Sequence, residues 1–318
     1  MSKYTSQQVN PTEPDMANVK YDIQPSNKTF NDFILSYPSG AYTGMRTVNR
    51  DAIVELKTHM QRMTNSISHI QFKGDTVQAT EKAERELAPF KDSVEFEHKL
   101  MPLLKNGLEA YYEHIDETTH TEHPYEAKVS IVLTYSFKKQ QPCFAAHFAH
   151  LKSFPSHTRV KVEIERKARK SPEVKDSQWV RERQDLEKNK PRDVNEVILM
   201  DDADQLYEGM ASNFLAVKDG TVYCASLDHI LLGSILKIVI ELCKKHNIPF
   251  QWEFPTLQDA KQGKWEGCFV TSTSRLLLPI ETIYVNHESI EFPKTSPIIE
   301  FLREHVAKEI SNTACKVL

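Results

Sequence analysis

The chain has 318 residues, 40% of them hydrophobic, and a formal net charge of −4 at pH 7. This length suggests about two domains with substantial cores, and the balance of 40 basic and 44 acidic residues argues against a nucleic-acid partner. The five cysteines form no Cys-x-x-Cys pair and no segment reaches the length of a membrane span, so we expect a cytoplasmic protein without a disulfide framework or cysteine zinc site.

The N-terminal third begins with a polar segment and continues with mixed strands and helices. Residues 1–28 are rich in Ser, Gln, Asn, Pro and Thr without periodicity, which predicts a flexible arm or an irregular strap. Short apolar runs predict strands over 33–37, 41–48 and 129–135. Apolar residues at helical spacing predict helices over 51–70, 79–88 and 93–113, followed by a polar loop over 113–127.

A shift in composition at Ser171-Pro172 separates this part from the rest of the chain. Before it, alternating apolar residues predict a strand over 160–164. After it we expect helices over 177–190, 234–247 and 296–310. We also expect strands over 197–200, 214–217, 221–223 and 267–273, and another around Pro279. The mixture predicts an α+β architecture of two domains, a small α/β domain over 29–155 and a larger domain over 156–318 with a mixed, mostly antiparallel sheet.

Several familiar kinds of site are not supported by the sequence. The histidines that attract attention are His114, His120 and His123 in one loop and His147 and His150 three residues apart. No carboxylate or cysteine stands at matching spacing, so no metal site is predicted. The chain contains no G-x-S-x-G elbow, no P-loop and no G-x-G-x-x-G, and its nine glycines leave little room for a glycine-rich nucleotide loop.

The C-terminus has the outline of a lipid-modification signal. Cys315-Lys316-Val317-Leu318 resembles a prenylation motif with a terminal leucine. A lysine is a poor residue inside such a motif, and no polybasic run precedes it. We therefore expect no membrane attachment, and prenylation at Cys315 is the minor alternative.

Three other features could serve an anion such as a phosphate. Residues 231–235 pass from a loop into a helix, where backbone N–H groups lack intrahelical partners. Residues 271–274 supply a row of hydroxyls at the end of a strand, and Arg46 ends the stretch 40–46. Each of these features alone is more often structural, and the sequence alone does not bring them together.

Glu208 introduces a carboxylate into a region that otherwise predicts sheet. Asp219-Gly220 lies between two apolar runs, a pattern typical of a hairpin, and Glu208 comes shortly before it. The local sequence favours a solvent-exposed glutamate.

A family resemblance gives this glutamate another interpretation. The stretch EGMASNFLAVKDG (208–220) resembles the signature of the class IV aminotransferases, the fold-type IV enzymes that use pyridoxal phosphate (PLP). This family includes branched-chain and D-amino-acid aminotransferases and aminodeoxychorismate lyases. Weaker similarities follow in the family's order, at GAYTGMRT (40–47), HMQRM (59–63), VNEVILMDD (194–202), LLGSILK (231–237) and FVTSTSRLLLP (269–279).

The resemblance implies roles for a lysine and for the signature glutamate. The family's Schiff-base lysine precedes the glutamate by just over thirty residues, and Lys175 precedes Glu208 by 208 − 175 = 33. Lys175 is therefore expected to carry PLP, with Lys170 as the fallback, and Glu208 to bind the pyridine nitrogen. Trp179 stands where the family commonly has a tyrosine near the cofactor's phenolic oxygen.

The resemblance also implies a phosphate site and, less specifically, a substrate site. For the phosphate it implies Arg46, Gly233, Ser234, Ile235, Ser272 and Thr273; Ile235 stands where threonine is common, and Ser272 where glycine is common. For the substrate we expect Tyr42, Tyr135 and Lys138, with Lys139 as an alternative. The arginine expected in a D-amino-acid specialist is absent from residues 133–136.

The function implied by the resemblance is PLP-dependent transfer of an amino group between an amino acid and a 2-oxo acid through a Lys175 Schiff base. A lyase of the aminodeoxychorismate type is the close alternative, and a non-catalytic relative that retains the fold is the other. The family also implies a homodimer.

Overall fold

The computed structural model describes residues 6–11, 21–118 and 125–318. These residues form two compact units. Unit 1 comprises the described residues up to Lys152, together with Val174–Arg181 and Thr313–Leu318, and unit 2 comprises Ser153–Glu173 and Glu182–Asn312. Part of the expected N-terminal arm and the histidines His120 and His123 lie outside the described residues. The predicted domain boundaries stay a prediction.

Strands and helices are interspersed throughout the described residues. Up to residue 150 they are β1 (Ser6–Pro11), β2 (Tyr21–Ser26), α1 (Phe30–Leu35), β3 (Ala41–Val48), β4 (Ala52–Val54), α2 (Leu56–His69), α3 (Val77–Leu87), α4 (Ser93–Thr118), β5 (Ala127–Ser136) and β6 (Gln141–His150). The remaining ones are β7 (Val160–Arg166), α5 (Gln178–Glu182), α6 (Gln184–Asn189), β8 (Glu196–Met200), β9 (Leu206–Gly209), β10 (Ser212–Lys218), β11 (Thr221–Cys224), α7 (Ser234–Lys245), β12 (Phe250–Trp252), α8 (Leu257–Lys261), β13 (Gly267–Ser272), β14 (Leu276–Val285), β15 (Glu288–Glu291), α9 (Pro297–Glu309) and β16 (Ala314–Lys316).

Unit 1 is built on one antiparallel sheet whose strands lie in the order β16-β4-β3-β5-β6-β1-β2. Because successive side chains of a strand point to opposite faces, β3 directs Ala41 and Met45 into the core formed with α2, α3 and α4. Tyr42 points to the opposite face, where it packs in a smaller cluster with Phe33 and Ile34 of α1.

Unit 2 contains a sheet that closes on itself. The strands β10, β13, β14, β7, β8 and β9 are neighbours in that order, and β9 pairs again with β10. The pairs β14–β7 and β7–β8 are parallel and the other pairs in the ring are antiparallel. The interior is filled by a cluster that includes Val162, Ile198, Phe214 and Val270. This architecture confirms the predicted α+β class with a mixed, mostly antiparallel sheet or barrel.

Four secondary-structure predictions were wrong. Residues 113–118 of the loop predicted over 113–127 belong to helix α4, so His114 lies in a helix. Residues 33–35 of the strand predicted over 33–37 belong to helix α1, because Thr29 and Asp32 form a capping box that starts a helix at Phe30, and residues 36–37 follow its end. The helix predicted over 51–70 begins only at Leu56, after strand β4 and after Glu55, which adopts a left-handed conformation with φ 52°. The helix predicted over 177–190 is divided into α5 and α6.

Both ends of the chain contribute strands to the sheet of unit 1. Where the sequence predicts a flexible arm, β1 pairs with β6 and β2 pairs with β1. At the other end, Cys315 lies in β16 opposite Ile53 of β4, and the N–H groups of Val317 and Leu318 both donate to the Asp51 carbonyl. Within the described part of the chain, no helix combines the length and apolar character needed to span a bilayer.

Candidate active site

In unit 1 the backbone of Lys175 is held on both sides. Its N–H donates to the Ser66 hydroxyl of α2 at 2.9 Å, and its carbonyl accepts the Tyr42 N–H of β3 at 3.0 Å. A bridge between Ala41 and Asp176 continues this pairing. The side chain is half-buried, and its Nζ lies 5.1 Å from the centre of the Tyr42 ring. The amine is thus placed by the backbone, whereas Lys170, the fallback, is exposed.

A buried histidine and an arginine on α2 lie near this lysine. His59 is fully buried, and its Nδ1 lies 2.8 Å from the Thr43 hydroxyl. Burial lowers the pKa of His59 well below its usual value, and the positive charges of Arg62 and Lys175 lower it further. His59 is therefore neutral at physiological pH. The charges of Arg62 and Lys175 are both close enough to act on its ring.

No role was predicted for Arg62 from the sequence, although its position relative to His59 is a recognisable pattern. His59 and Arg62 are three residues apart in α2, so the two side chains project from the same side of the helix. The segment 59–63 resembles a helix of the family, but the resemblance gives no role to His59 or Arg62. The helical spacing alone could have singled out the pair.

Arg46, expected at the phosphate, lies in β3 of unit 1. It follows Tyr42 by four residues in the extended strand β3, a separation of roughly 13 Å. Burial lowers the pKa of the Arg46 guanidinium, and the negative charge of Glu126 opposes this shift. The structure therefore places Arg46 beside Glu126, towards the opposite end of β3 from the segment that pairs with Lys175.

The aromatic residue that follows the lysine, Trp179, is in α5 and is only 4% exposed. Its N–H donates to the Asp176 carbonyl at 3.2 Å, and the Asp176 carboxylate accepts the Gln178 N–H at 2.8 Å. These bonds start the short helix directly after Lys175. Trp179 is thus fixed within unit 1 four residues from the lysine.

The three side chains expected to contact substrate do not form one group within unit 1. Tyr42 is buried on the face covered by α1. Tyr135 belongs to the core on the opposite face, where its hydroxyl bonds to the Glu86 carboxylate at 3.1 Å. Lys138 is exposed in the turn between β5 and β6, and so is Lys139.

In unit 2 the signature glutamate is buried rather than solvent-exposed. Glu208 lies in β9 and is 4% exposed. Its Oε1 accepts a hydrogen bond from Arg169 Nη1 at 3.3 Å, and its Oε2 accepts the Leu231 N–H at 3.2 Å. Burial, together with the negative charge of Glu208, raises the pKa of the neighbouring Cys224 thiol. A buried carboxylate needs such partners, and Arg169 supplies the counter-charge.

Asn213 of the same signature acts on the same loop as Glu208. It lies opposite Glu208 in the β9–β10 pair, and its side-chain amide donates to the Leu231 carbonyl at 2.7 Å. Glu208 and Asn213 therefore bind the N–H and the carbonyl of one residue. This double attachment fixes the loop two residues before Gly233.

That loop leads into a group of donors at the start of α7. Gly233 is the N-cap residue and makes no side-chain cap, so the first N–H groups of the twelve-residue helix are not used by a capping side chain. A Cβ added to Gly233 would lie 2.1 Å from the Asn213 amide oxygen, so only glycine fits there. The hydroxyls of Ser234 and Thr273 lie 2.9 Å apart beside the helix start.

Two further hydroxyls precede Thr273 at the end of β13. The Ser272 hydroxyl accepts hydrogen bonds from the N–H and the Nε–H of Arg275, each at 3.3 Å. Thr271 is 1% exposed, and its hydroxyl has no hydrogen-bond partner among the described residues. Ile235 is buried and apolar, so it offers only its backbone N–H.

These residues fit the phosphate of PLP by their chemistry. A phosphate group accepts hydrogen bonds, and the helix start, the Ser234–Thr273 hydroxyl pair and the Ser272 hydroxyl are donors. The close approach at Gly233 leaves no space for a side chain over the helix start. Unit 2 therefore combines a buried carboxylate with a donor group suited to an anion.

Comparison with known proteins places this arrangement in a family. The family model described as amino-transferase class IV matches residues 40–283, more than half of the chain. A D-alanine aminotransferase of Staphylococcus aureus is 34% identical over 106 residues, which cover 33% of this chain and 36% of the relative. The chain thus matches about a third of the length of that curated relative.

Solved structures resemble the chain over nearly its whole length. A fold IV transaminase from Curtobacterium pusillum has a TM-score of 0.69 at 14% identity, covering 97% of this chain and 99% of its own. A hypothetical aminotransferase from Mycobacterium tuberculosis, in its PLP-bound form, has a TM-score of 0.67 at 12% identity, covering 96% and 99%. At these identities the similarity shows the fold.

The extent of the family match and the shared fold agree with the resemblance seen in the sequence. Class IV aminotransferases are PLP-dependent enzymes. The chain belongs to the class IV aminotransferase family.

Proposed function

We propose that the protein is a PLP-dependent aminotransferase that moves an amino group between an amino acid and a 2-oxo acid. Family membership over residues 40–283 supports the reaction class. The structural observation that carries the proposal is in unit 2, where Glu208 and Asn213 both hold Leu231. The loop fixed in this way leads directly to the hydroxyls and N–H groups at the start of α7. A partner for a ring nitrogen and a cradle for a phosphate are therefore parts of one arrangement.

We assign the residues of unit 2 to the two ends of the cofactor. The Glu208 carboxylate would accept the pyridine N–H and favour the protonated ring, a charge-assisted contact of about 1.5–3 kcal/mol. The Ser272 hydroxyl and one hydroxyl of the Ser234–Thr273 pair would donate hydrogens to the phosphate, since the other hydroxyl of the pair donates within it. The backbone N–H groups of Gly233, Ser234 and Ile235 at the start of α7 would also bind the phosphate. When bound, PLP supplies an acceptor for the electrons released at the substrate's α-carbon.

We assign Lys175 to cofactor attachment and proton transfer. The bonds of its backbone to Ser66 and Tyr42 fix the main chain, so the long side chain remains the part that moves. Its amine would move a proton between the substrate's α-carbon and the C4′ carbon of the cofactor within each half of the reaction. His59 is held neutral by burial and by its cationic neighbours, which favours a positioning role over proton donation.

We propose Arg62, in place of Arg46, as the arginine of unit 1 that acts in the lysine's surroundings. Support comes from His59, whose pKa is lowered by the charges of both Arg62 and Lys175. Arg46 is associated with Glu126 instead. Of the side chains expected to meet substrate, we retain Tyr42, because its ring lies against the Lys175 amine.

The attachment site can be tested chemically. The purified protein incubated with PLP should gain a visible absorption band, and borohydride should fix the cofactor on the peptide that contains Lys175. Lys175→Ala should abolish both signals, whereas Lys170→Ala, which changes an exposed lysine five residues earlier, should retain them. Absence of PLP uptake would favour a non-catalytic relative, and a label on another lysine would reject Lys175.

The reaction class can be separated from the lyase alternative by its requirement for an acceptor. A transaminase converts bound PLP to the amine form with an amino acid and restores it with a 2-oxo acid. A panel of L- and D-amino acids, each assayed with and without a 2-oxo acid, distinguishes the two classes. Turnover without any acceptor would indicate a lyase and contradict the proposal.

We also propose that the protein is a cytoplasmic homodimer. The dimer is an inference from the family, and the five cysteines, all free thiols, are compatible with a reducing compartment. Light scattering of the purified protein tests the oligomeric state, and a monomer that retains activity would contradict the proposed dimer.

Imaging of the tagged protein in cells tests the location, and accumulation of the protein at a membrane would contradict the cytoplasmic assignment.

A further inference from the structure

The turn between β13 and β14 is unusual in its backbone and in its side-chain contacts. Leu276, the first residue of β14, has φ 56°, in the left-handed region that side-chain-bearing residues rarely adopt. Arg275, directly before it, donates its N–H and its Nε–H to the Ser272 hydroxyl, each at 3.3 Å. The backbone and the guanidinium of Arg275 therefore bind the turn to Ser272, the last residue of β13.

The same guanidinium is held at its other end by a buried carboxylate. Glu196 of β8 is 0% exposed, and it forms an ion pair with Arg275 Nη2. Its other bonds come from the Ser212 hydroxyl at 2.8 Å and from the Val197 N–H at 3.1 Å. Arg275 Nη1 also donates to the Asn195 carbonyl at 3.2 Å. The charge of Arg275 is thus balanced by Glu196, and its planar fork is fixed in orientation.

This arrangement determines which way the Ser272 hydroxyl can act. A hydroxyl oxygen has two acceptor positions and one hydrogen. Because Arg275 donates two hydrogen bonds to the oxygen, the hydrogen of Ser272 is left to be donated to another group. A phosphate offers only acceptors, so a hydroxyl prepared in this way matches it. Ser272 stands where the family commonly has glycine, which has no side chain to offer.

We infer that Arg275 is a positioning residue for the cofactor's phosphate: it fixes Ser272 as a hydrogen-bond donor, and Glu196 holds Arg275 in place. This inference rests on the proposed PLP-dependent function. It also accounts for Ile235, which stands where the family commonly has threonine and brings no hydroxyl. In this chain Ser272, which directly precedes Thr273 at the end of β13, supplies a hydroxyl in its place.

The test compares two forms of the cofactor that differ only in the phosphate. Dissociation constants for PLP and for pyridoxal are measured by absorbance titration of the apoprotein, in the wild type and in Ser272→Ala, Arg275→Met and Arg275→Lys. Each variant should bind PLP about tenfold more weakly, the loss of one hydrogen bond to a charged group, while its affinity for pyridoxal is unchanged. The double variant Ser272→Ala/Arg275→Met should lose no more than either single change.

The variant Arg275→Lys covers the case in which Arg275→Met fails to fold. A lysine at this position would keep a positive charge beside Glu196, but it has no Nε–H fork with which to orient the hydroxyl. A matched control is Arg303→Met, since Arg303 of α9 is also mostly buried, at 18% side-chain exposure, and pairs with Glu300 at 2.8 Å. This control should leave the ratio of the two dissociation constants unchanged.

The outcomes distinguish this inference from the proposed function. If the Arg275 variants lose affinity for PLP and pyridoxal equally, or if their effects add to that of Ser272→Ala, the positioning role is wrong while the PLP-dependent function stands. If the wild-type protein binds neither compound, the proposed function and this inference fail together.

Discussion

The lysine region of unit 1 and the carboxylate region of unit 2 are stabilised in opposite ways. Lys175 is held through its main chain, by bonds to Ser66 and Tyr42, and its side chain ends against an aromatic ring. Glu208 is held through its side chain, with one oxygen bonded to Arg169 and the other to the Leu231 N–H. Glu196, on the neighbouring strand of unit 2, repeats the second pattern with Arg275 and the Val197 N–H.

This difference matches what each proposed role requires. A lysine that attaches a cofactor and then transfers a proton must keep a mobile amine, so anchoring its backbone is sufficient. A carboxylate that pairs with a ring nitrogen must keep its charge and position throughout the reaction, so its oxygen atoms are anchored. In the proposed mechanism the group anchored through its side chain stays in place, and the group anchored through its main chain moves.

The largest expected effect comes from removing an anchor of a buried carboxylate. Arg169→Met leaves Glu208 buried without its counter-charge, and both side chains are nearly inaccessible, at 6% and 5% exposure. We expect the free energy of unfolding to fall by about 3–5 kcal/mol, because an unpaired buried charge is strongly destabilising. Urea unfolding of the apoprotein followed by circular dichroism measures this change.

The control for Arg169 is an exposed arginine of the same unit. Arg166 pairs with Asp204, but the two side chains are 46% and 44% exposed. Arg166→Met should therefore cost at most about 1 kcal/mol. Equal losses of unfolding free energy in the two variants would show that Arg169 does not stabilise the buried Glu208 carboxylate. The proposed difference between the lysine region and the carboxylate region would then be wrong.

A second prediction concerns the helix start that follows the loop at Leu231. In Gly233→Ala, the added Cβ would lie 2.1 Å from the Asn213 amide oxygen. Displacing Asn213 disturbs its bond to the Leu231 carbonyl, so we expect a loss of about 2–4 kcal/mol from overpacking and the lost hydrogen bond. PLP affinity should fall as well, because the same loop leads to the donors that we propose for the phosphate.

Gly44 provides the matched substitution in unit 1. A Cβ at Gly44 would meet no atom of the described residues within 4 Å. Gly44→Ala should change the free energy of unfolding by less than about 1 kcal/mol. Comparing the two alanine variants by urea unfolding separates steric conflict at Gly233 from the general effect of replacing glycine; similar losses would reject the steric explanation.

The sequence was sufficient for the α+β class because strong periodicities marked the long elements. The apolar face of α4 and the alternation in β7 are local patterns, and both appear in the structure. Residues 33–37 were misassigned because their apolar run fits a strand as well as a helix. The decisive signal was the Thr29–Asp32 capping box, which lies before the run.

The candidate site shows a similar division between local and distant information. Glu208 was singled out by a contiguous signature, but its partner Arg169 lies 39 residues away and belongs to no pattern that predicts the contact. The pairing of Glu196 could not be predicted for the same reason. Glu196 begins an apolar strand segment, and its partner Arg275 comes 79 residues later. The role proposed for Arg62, by contrast, has a local signal, because Arg62 follows His59 by three residues in one helix.

A third, smaller effect should be confined to unit 1 and should depend on pH. Burial lowers the pKa of His147 from 6.5 to about 4, with Lys128 and Lys28 contributing in the same direction. His147 is 1% exposed in β6, and its ring stacks on Phe33 at 5.1 Å. In unit 2 the described histidines are exposed or half-buried. Unit 1 therefore contains buried imidazoles that resist protonation.

The sign of the pH effect follows from this lowered pKa. Well above pH 6.5 His147 is neutral in both the folded and the unfolded state, so its contribution to stability is complete. As the pH falls from 6.5 towards 4, the unfolded chain binds a proton that the folded protein does not, and stability decreases. With values of 6.5 and about 4, the loss between pH 7 and pH 5 is about 2 kcal/mol.

A non-titrating replacement isolates this contribution from those of other groups, including His59. The difference in the free energy of unfolding between the wild type and His147→Asn should shrink by about 2 kcal/mol from pH 7 to pH 5. Urea unfolding at pH 5, 6 and 7 measures it, and amide exchange of peptides from β6 assigns it to unit 1. A difference that stays constant over this range would mean that His147 titrates alike in the folded and unfolded states, and that the pH dependence of unit 1 has another source.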